Sequence, residues 1–68
     1  MQTIVALREA REARGWTQEA LGERCGLTAS VVSHYEAGRR VPTLRNAVRI
    51  ADALGVSMDM LVGRVWPR

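Results

Sequence analysis

Ala29, Ser30, Ser33 and His34, with Arg39 and Arg40 close behind them, are the residues of this chain whose types and spacing could do chemistry. They belong to the stretch from Thr28 to Gly38, which reads as a short helix marked at both ends. The Thr28 hydroxyl can accept from a free backbone N–H of the first turn, and Gly38 can take the left-handed conformation that stops a helix. At helical spacing Val32, Tyr35 and Glu36 share one side, and Ala29, Ser30, Ser33, His34 and Ala37 share the other. The second face is small, polar and nearly uncharged. It would neither fill a core nor behave as a salt-bridged surface. Two chemistries are open to it. Ser30 and His34, four apart, are the raw material of a hydrolytic dyad, but no orienting acid, pocket or oxyanion site accompanies them. The other is hydrogen bonding to the base edges of a duplex, with the two arginines on phosphates. The plainer alternatives are a solvated polar helix side and a solvated arginine loop.

In the groove reading His34 is the main reader, because it is the only outward side chain long enough to cross to a base edge. Neutral imidazole donates and accepts, while the protonated ring only donates. Surrounding phosphates would favour the charged form, so binding would tighten as pH falls.

Charge is distributed in a way that fits a polyanion. The net charge is +3 and all ten cations are arginine, which coding bias alone could produce. The clustering is another matter. Residues 1–27 and 51–68 each balance to zero, whereas residues 28–50 carry Arg39, Arg40, Arg45 and Arg49 against Glu36 alone. A local basic patch of this kind is the electrostatic footprint of a nucleic-acid binder. Sixty-eight residues bury only about 60% of their unfolded surface, leaving little room for both a pocket and a core, so an enzyme is not expected. One cysteine, Cys25, and one histidine exclude an internal disulfide and most metal sites, and no metal or cofactor is expected. Cys25 reads as a small buried hydrophobe. No apolar run approaches the ~20 residues of a membrane span, and the charged N-terminus is unlike a signal peptide. The expectation is a cytoplasmic protein.

The elements that must position the face follow in order. Residues 2–14 are rich in good helix formers, and Gly15 ends the helix. Thr17 caps a second helix that Gly26 ends, with Leu21 and Cys25 facing inward. Only Gly26 and Leu27 separate it from the Thr28 cap, so these two helices cross steeply in helix-turn-helix geometry. Pro42 holds a loop extended, and Thr43 caps a fourth helix whose inward stripe is Leu44, Ala47, Ile50, Ala51 and Leu54. Gly55 stops it. Ser57 caps a short fifth helix to Gly63, and residues 64–68 are a tail.

Thr17-Gln18-Glu19 opening the second helix, Gly26 in the turn, Tyr35-Glu36-Ala37-Gly38 closing the third, Pro42 in the loop and Leu54-Gly55-Val56-Ser57 after the fourth, in this order, resemble the Cro/C1-type (XRE-like) helix-turn-helix family of phage repressors and small bacterial regulators. The resemblance runs from Leu7 to about Gly63. It implies an all-α, compact five-helix, lambda-repressor-like DNA-binding domain, one domain over residues 1–68 with its core at about 4–63. It implies that Gln18 bonds a phosphate and braces the third helix, and that Thr28 is a phosphate-contacting cap. Arg39, Arg40 and Arg45 would grip the backbone, and Ala29, Ser30, Ser33 and His34 would face bases. Arg11 and Glu36 would form an internal ion pair. The chain departs from many relatives at Ala29 and Ser30, which are too short to reach far. Ala29 could touch a thymine methyl and Ser30 could donate or accept, with water and duplex shape contributing the rest.

The last stretch, with Met58, Leu61, Val65 and Trp66, is more apolar than one short helix can bury beneath itself. An exposed apolar patch marks a partner surface, and a second copy is the economical partner, since two-fold DNA readers dimerise. The sequence thus leads to a double-stranded-DNA-binding transcription regulator, a repressor on a near-palindromic operator as a homodimer, without cofactor or membrane contact. The alternatives are an antitoxin of the same fold, which would bind a toxin as well, and a protein-interaction module that keeps the fold.

Overall fold

The structure, a computed structural model, describes residues 5–56, and side-chain burial from residue 7. It contains α1 (Val5–Ala13), α2 (Gln18–Cys25), α3 (Ala29–Glu36) and α4 (Leu44–Leu54), and no strand among the described residues. The expected fifth helix and tail, with Met58, Leu61, Val65 and Trp66, lie outside the described residues.

Three of the four helices begin by the same device. The hydroxyls of Thr17, Thr28 and Thr43 accept from the amides of Ala20, Val31 and Asn46 at 3.0, 3.1 and 3.1 Å. Each capping threonine is extended, with ψ between 160° and 169°, and such a cap contributes about 1 kcal/mol. The connection from α2 to α3 is tight because the amide of Leu27 turns back onto the Gly22 carbonyl at 2.8 Å. Gly22 is therefore a packing requirement. A Cβ there would stand 2.5 Å from the Leu27 carbonyl oxygen, a backbone atom that cannot swing aside.

The crossing puts α2 against both α3 and α4, with α1 laid on α3. Leu7, Leu21, Cys25, Val32, Tyr35, Ala47, Ile50, Ala51 and Leu54 form the buried core. The stripe expected on α4 is shorter than its periodicity suggested. Ala47, Ile50, Ala51 and Leu54 are inside, but Leu44 is 65% exposed. It opens the helix, beside exposed Val41, before the packed part begins. Two polar contacts join elements distant in sequence. Asn46 Nδ2 on α4 donates to the Tyr35 hydroxyl on α3 at 2.9 Å. Arg14 donates to the Ala10 carbonyl and to the Leu54 carbonyl at the end of α4, where helix carbonyls lack an internal partner. Burial pushes the Cys25 thiol up, with backbone hydrogen bonds and Arg49 acting the other way, and the Sγ donates to the Leu21 carbonyl at 3.1 Å. Cys25 is a buried protonated thiol of the core.

Candidate nucleic-acid interface

The inner side of α3 is held by charge. Arg11 Nε and Nη2 on α1 donate to the two Glu36 carboxylate oxygens at 2.6 and 3.1 Å, the bidentate fork geometry. Gln18 Nε2, from the first residue of α2, adds a third bond to Glu36 at 3.0 Å, and Arg8 Nε stands 3.7 Å away. The remaining Arg11 Nη1 donates to the Trp16 carbonyl at 2.7 Å, tying down the α1–α2 loop. Burial works to raise the Glu36 carboxyl. The hydrogen bonds from Arg11 and Gln18 and the charges of Arg11 and Arg8 outweigh it and hold the carboxyl below the ordinary glutamate range. The Arg11 guanidinium is shifted up, chiefly by its bond to Glu36 and against its own burial.

The outer side carries no such charges. Ser30 is exposed, and Ala29, Ser33 and His34 are half-buried. Thr28 is exposed at the start of α3, and Gln18 is half-buried at the start of α2. Arg39 and Arg40 are exposed after α3, and Arg45 is exposed in the first turn of α4. Arg49, also exposed, reaches back to the α2–α3 turn, its Nη1 3.5 Å from where a Gly26 Cβ would stand. Glu36, the only acid between residues 28 and 50, is 1% exposed and faces Arg11. This segment therefore presents four guanidiniums and no exposed carboxylate, a stronger polarity than its formal charge conveys.

The end of α3 was only partly legible in the sequence. Gly38 takes φ +76°, a conformation that costs a side-chain-bearing residue about 1 kcal/mol or more. Its amide donates to the Tyr35 carbonyl at 3.2 Å and the Arg39 amide to the His34 carbonyl at 2.9 Å. These two bonds make a Schellman motif, which folds the residue after the glycine back over the last turn. Arg39 Nη1 consequently lies 3.3 Å from His34 Nδ1. The spacing of His34, Gly38 and Arg39 was the available signal for this contact. A guanidinium thus stands where a hydrolytic dyad would need an orienting carboxylate.

Neither a membrane-spanning helix nor a group of three metal-binding side chains occurs among the described residues. The sequence profile of the helix-turn-helix family matches residues 7–61. The transcriptional repressor RstR of the cryptic phage CTXphi, from Vibrio cholerae, is 40% identical over 58 residues, 85% of this chain and 52% of that protein. This chain thus spans about half the length of that curated relative. An uncharacterised HTH-type transcriptional regulator of Methanothermobacter thermautotrophicus is 47% identical over 55 residues, 81% of this chain and 77% of that protein. Among solved structures, the P22 c2 repressor in complex with a synthetic operator superposes with a TM-score of 0.82 at 28% identity, over 85% of this chain and 88% of that one. The restriction-modification controller protein C.AhdI of Aeromonas hydrophila superposes with a TM-score of 0.80 at 38% identity, over 84% and 86%. With α2 and α3 crossing at a glycine turn and α3 clamped from within through Glu36, the chain belongs to the Cro/C1-type branch of the helix-turn-helix family of DNA-binding regulators.

Proposed function

We propose that the chain is a sequence-specific DNA-binding transcription regulator of the repressor kind, which lays the outer face of α3 in the major groove. The observation that carries this is the uncharged outer face of α3 bordered by exposed arginines with no exposed carboxylate between residues 28 and 50. A helix of about 10 Å diameter with short side chains enters a groove about 12 Å wide. Arg39, Arg40, Arg45, Thr28 and the free N–H of Gln18 hold phosphates, and Ser30, Ser33 and His34 address base edges, with Ala29 against a thymine methyl. Phosphate contacts fix the register and base contacts the sequence. A two-fold pair of chains, joined through Met58, Leu61, Val65 and Trp66, reads a near-palindromic operator, since one α3 covers only a half-site.

Selection of bound sequences from a random duplex pool, followed by titration of the winner and of a scrambled duplex at several salt concentrations, tests the reading. The expected result is a palindromic consensus, and affinity that falls with salt on both duplexes. Absence of salt-dependent binding to any duplex would overturn it in favour of a protein-interaction module, and a co-purifying toxin would favour the antitoxin.

A further inference from the structure

We propose that Arg39 is a positioning residue for base reading: by occupying His34 Nδ1 it fixes the imidazole as a donor through Nε2–H, and so directs His34 to guanine. The proposal rests on the DNA-binding reading above, and it narrows that reading to one side-chain pair and one kind of base edge.

The geometry begins in the backbone. The Schellman closure at Gly38 is fixed by the two hydrogen bonds to Tyr35 and His34, and it delivers residue 39 onto residue 34. A Schellman motif commonly has an apolar contact between these two positions. Here the positions hold an arginine and a histidine, and their side chains meet at 3.3 Å. Guanidinium has donors and no acceptor, so the nitrogen facing it must offer a lone pair. Nδ1 is therefore the acceptor and the proton of the neutral ring sits on Nε2. Arg39 uses one N–H here and has four others to engage a phosphate, so one residue ties the backbone grip to the orientation of the reader.

An imidazole fixed in this way presents a donor alone at its outer tip. In the major groove guanine offers two adjacent acceptors, N7 and O6. Adenine sets its N6 amino group beside N7, and cytosine offers the N4 amino group. A lone donor is therefore accepted best by the two adjacent acceptors of guanine, finds only the single O4 beside a methyl group at thymine, and is opposed by the amino groups of adenine and cytosine. The residues beside His34 do not compete for that role, because Ser30 and Ser33 are short. Without Arg39 the ring can adopt the other tautomer and accept from an amino group, so discrimination at that base pair is lost.

The test has two arms. Long-range proton–nitrogen spectra of the imidazole in the free protein at pH 8 report the tautomer without DNA. Wild type should show the Nε2–H form alone, and Arg39→Ala a mixture. In the second arm, bound-sequence selection is repeated with wild type, Arg39→Ala, Arg40→Ala and His34→Ala. One guanine per half-site should vanish from the consensus of Arg39→Ala and of His34→Ala and persist with Arg40→Ala. Replacing that guanine by 7-deazaguanine should weaken wild-type binding about tenfold and leave Arg39→Ala unchanged. A wild-type ring with the proton on Nδ1, or an Arg39→Ala protein that binds more weakly with an unchanged consensus, would overturn the proposal while leaving DNA binding intact. Failure of wild type to bind any duplex would overturn both, the tautomer arm then reporting only whether the pair exists in solution.

Discussion

Glu36→Ala should be strongly destabilising, because Glu36 is the residue through which α3 is bonded to both α1 and α2. The Glu36 side chain is 1% exposed and that of Arg11 11%. Removing the carboxylate leaves a largely buried guanidinium without its partner and Gln18 without its acceptor. Breaking a buried pair from one side costs ~3–5 kcal/mol. Arg11 keeps the Trp16 carbonyl, and Glu12 stands 3.9 Å away, so the lower end, about 3 kcal/mol, applies. A chain of this size is stable by only roughly 3–10 kcal/mol, and the loss should lower Tm by on the order of 12–24 °C. Urea unfolding followed by far-UV circular dichroism at pH 7 measures it, with the slope m unchanged. The response to pH has a definite sign. The folded carboxyl titrates below the ordinary glutamate value of about 4.5, so its contribution is complete above that pH and is lost as pH falls through the folded value. The gap between wild type and Glu36→Gln should therefore stay constant from pH 8 to 5 and close below about 4.5. A loss under about 1 kcal/mol at pH 7, the scale of an exposed pair, or a gap that widens in acid, would refute the reasoning.

Gly22→Ala should cost ~1–3 kcal/mol, because the new methyl meets the Leu27 carbonyl rather than space; a melting curve equal to wild type would show that the turn yields. Arg40→Ala and Arg45→Ala should weaken binding alike on every duplex and flatten the slope of log K against log salt by ~0.9 per contact in each subunit. A changed consensus would instead make either residue a base reader. Leu61→Ala and Trp66→Ala should shift the protein towards monomer in sedimentation and weaken operator binding more than random-duplex binding. A wild-type chain that is monomeric at high concentration and binds as independent single copies would exclude this.

Local rules carried the sequence analysis furthest where the cause is local. Each threonine cap lies three residues from the amide it satisfies, and Gly26, Gly38 and Gly55 stand where their helices stop. Inward faces of α2 and α3 follow the same logic, since Leu21, Cys25, Val32 and Tyr35 are set by period alone. Gly22 escaped because a glycine inside a helix registers only as a propensity penalty. Its reason is a carbonyl five residues on, brought back by the turn. Leu44 misled because periodicity assigns a face without saying how far along the helix its neighbours extend. The Arg14–Leu54 and Asn46–Tyr35 contacts depend on how the helices cross, which no window of sequence contains. Arg11 and Glu36, 25 residues apart, came from family resemblance rather than from spacing.

If α3 reads bases as proposed, the arrangement accounts for a reading surface with few long side chains. Short residues cannot search for a base, so the helix itself must be placed accurately. α3 receives that placement at its last turn. Glu36 is bonded from α1 through Arg11 and from α2 through Gln18, fixing its helix against two others at the point where the outer face must be held still. Tyr35, the residue before it, is bonded to α4 through Asn46. The last turn of α3 is thus tied to all three other helices by polar contacts, and His34 stands on that same turn. Directional bonds suit this task better than apolar packing, because they fix rotation about the helix axis as well as distance. A variant that keeps the core but loosens Glu36 should accordingly lose discrimination between operator and random duplex before it loses helical content. That order of loss, followed by titrating Gln18→Ala on both duplexes well below its Tm, separates positioning from simple stability. A Gln18→Ala protein that loses affinity equally on the two duplexes would assign Gln18 to the phosphate alone.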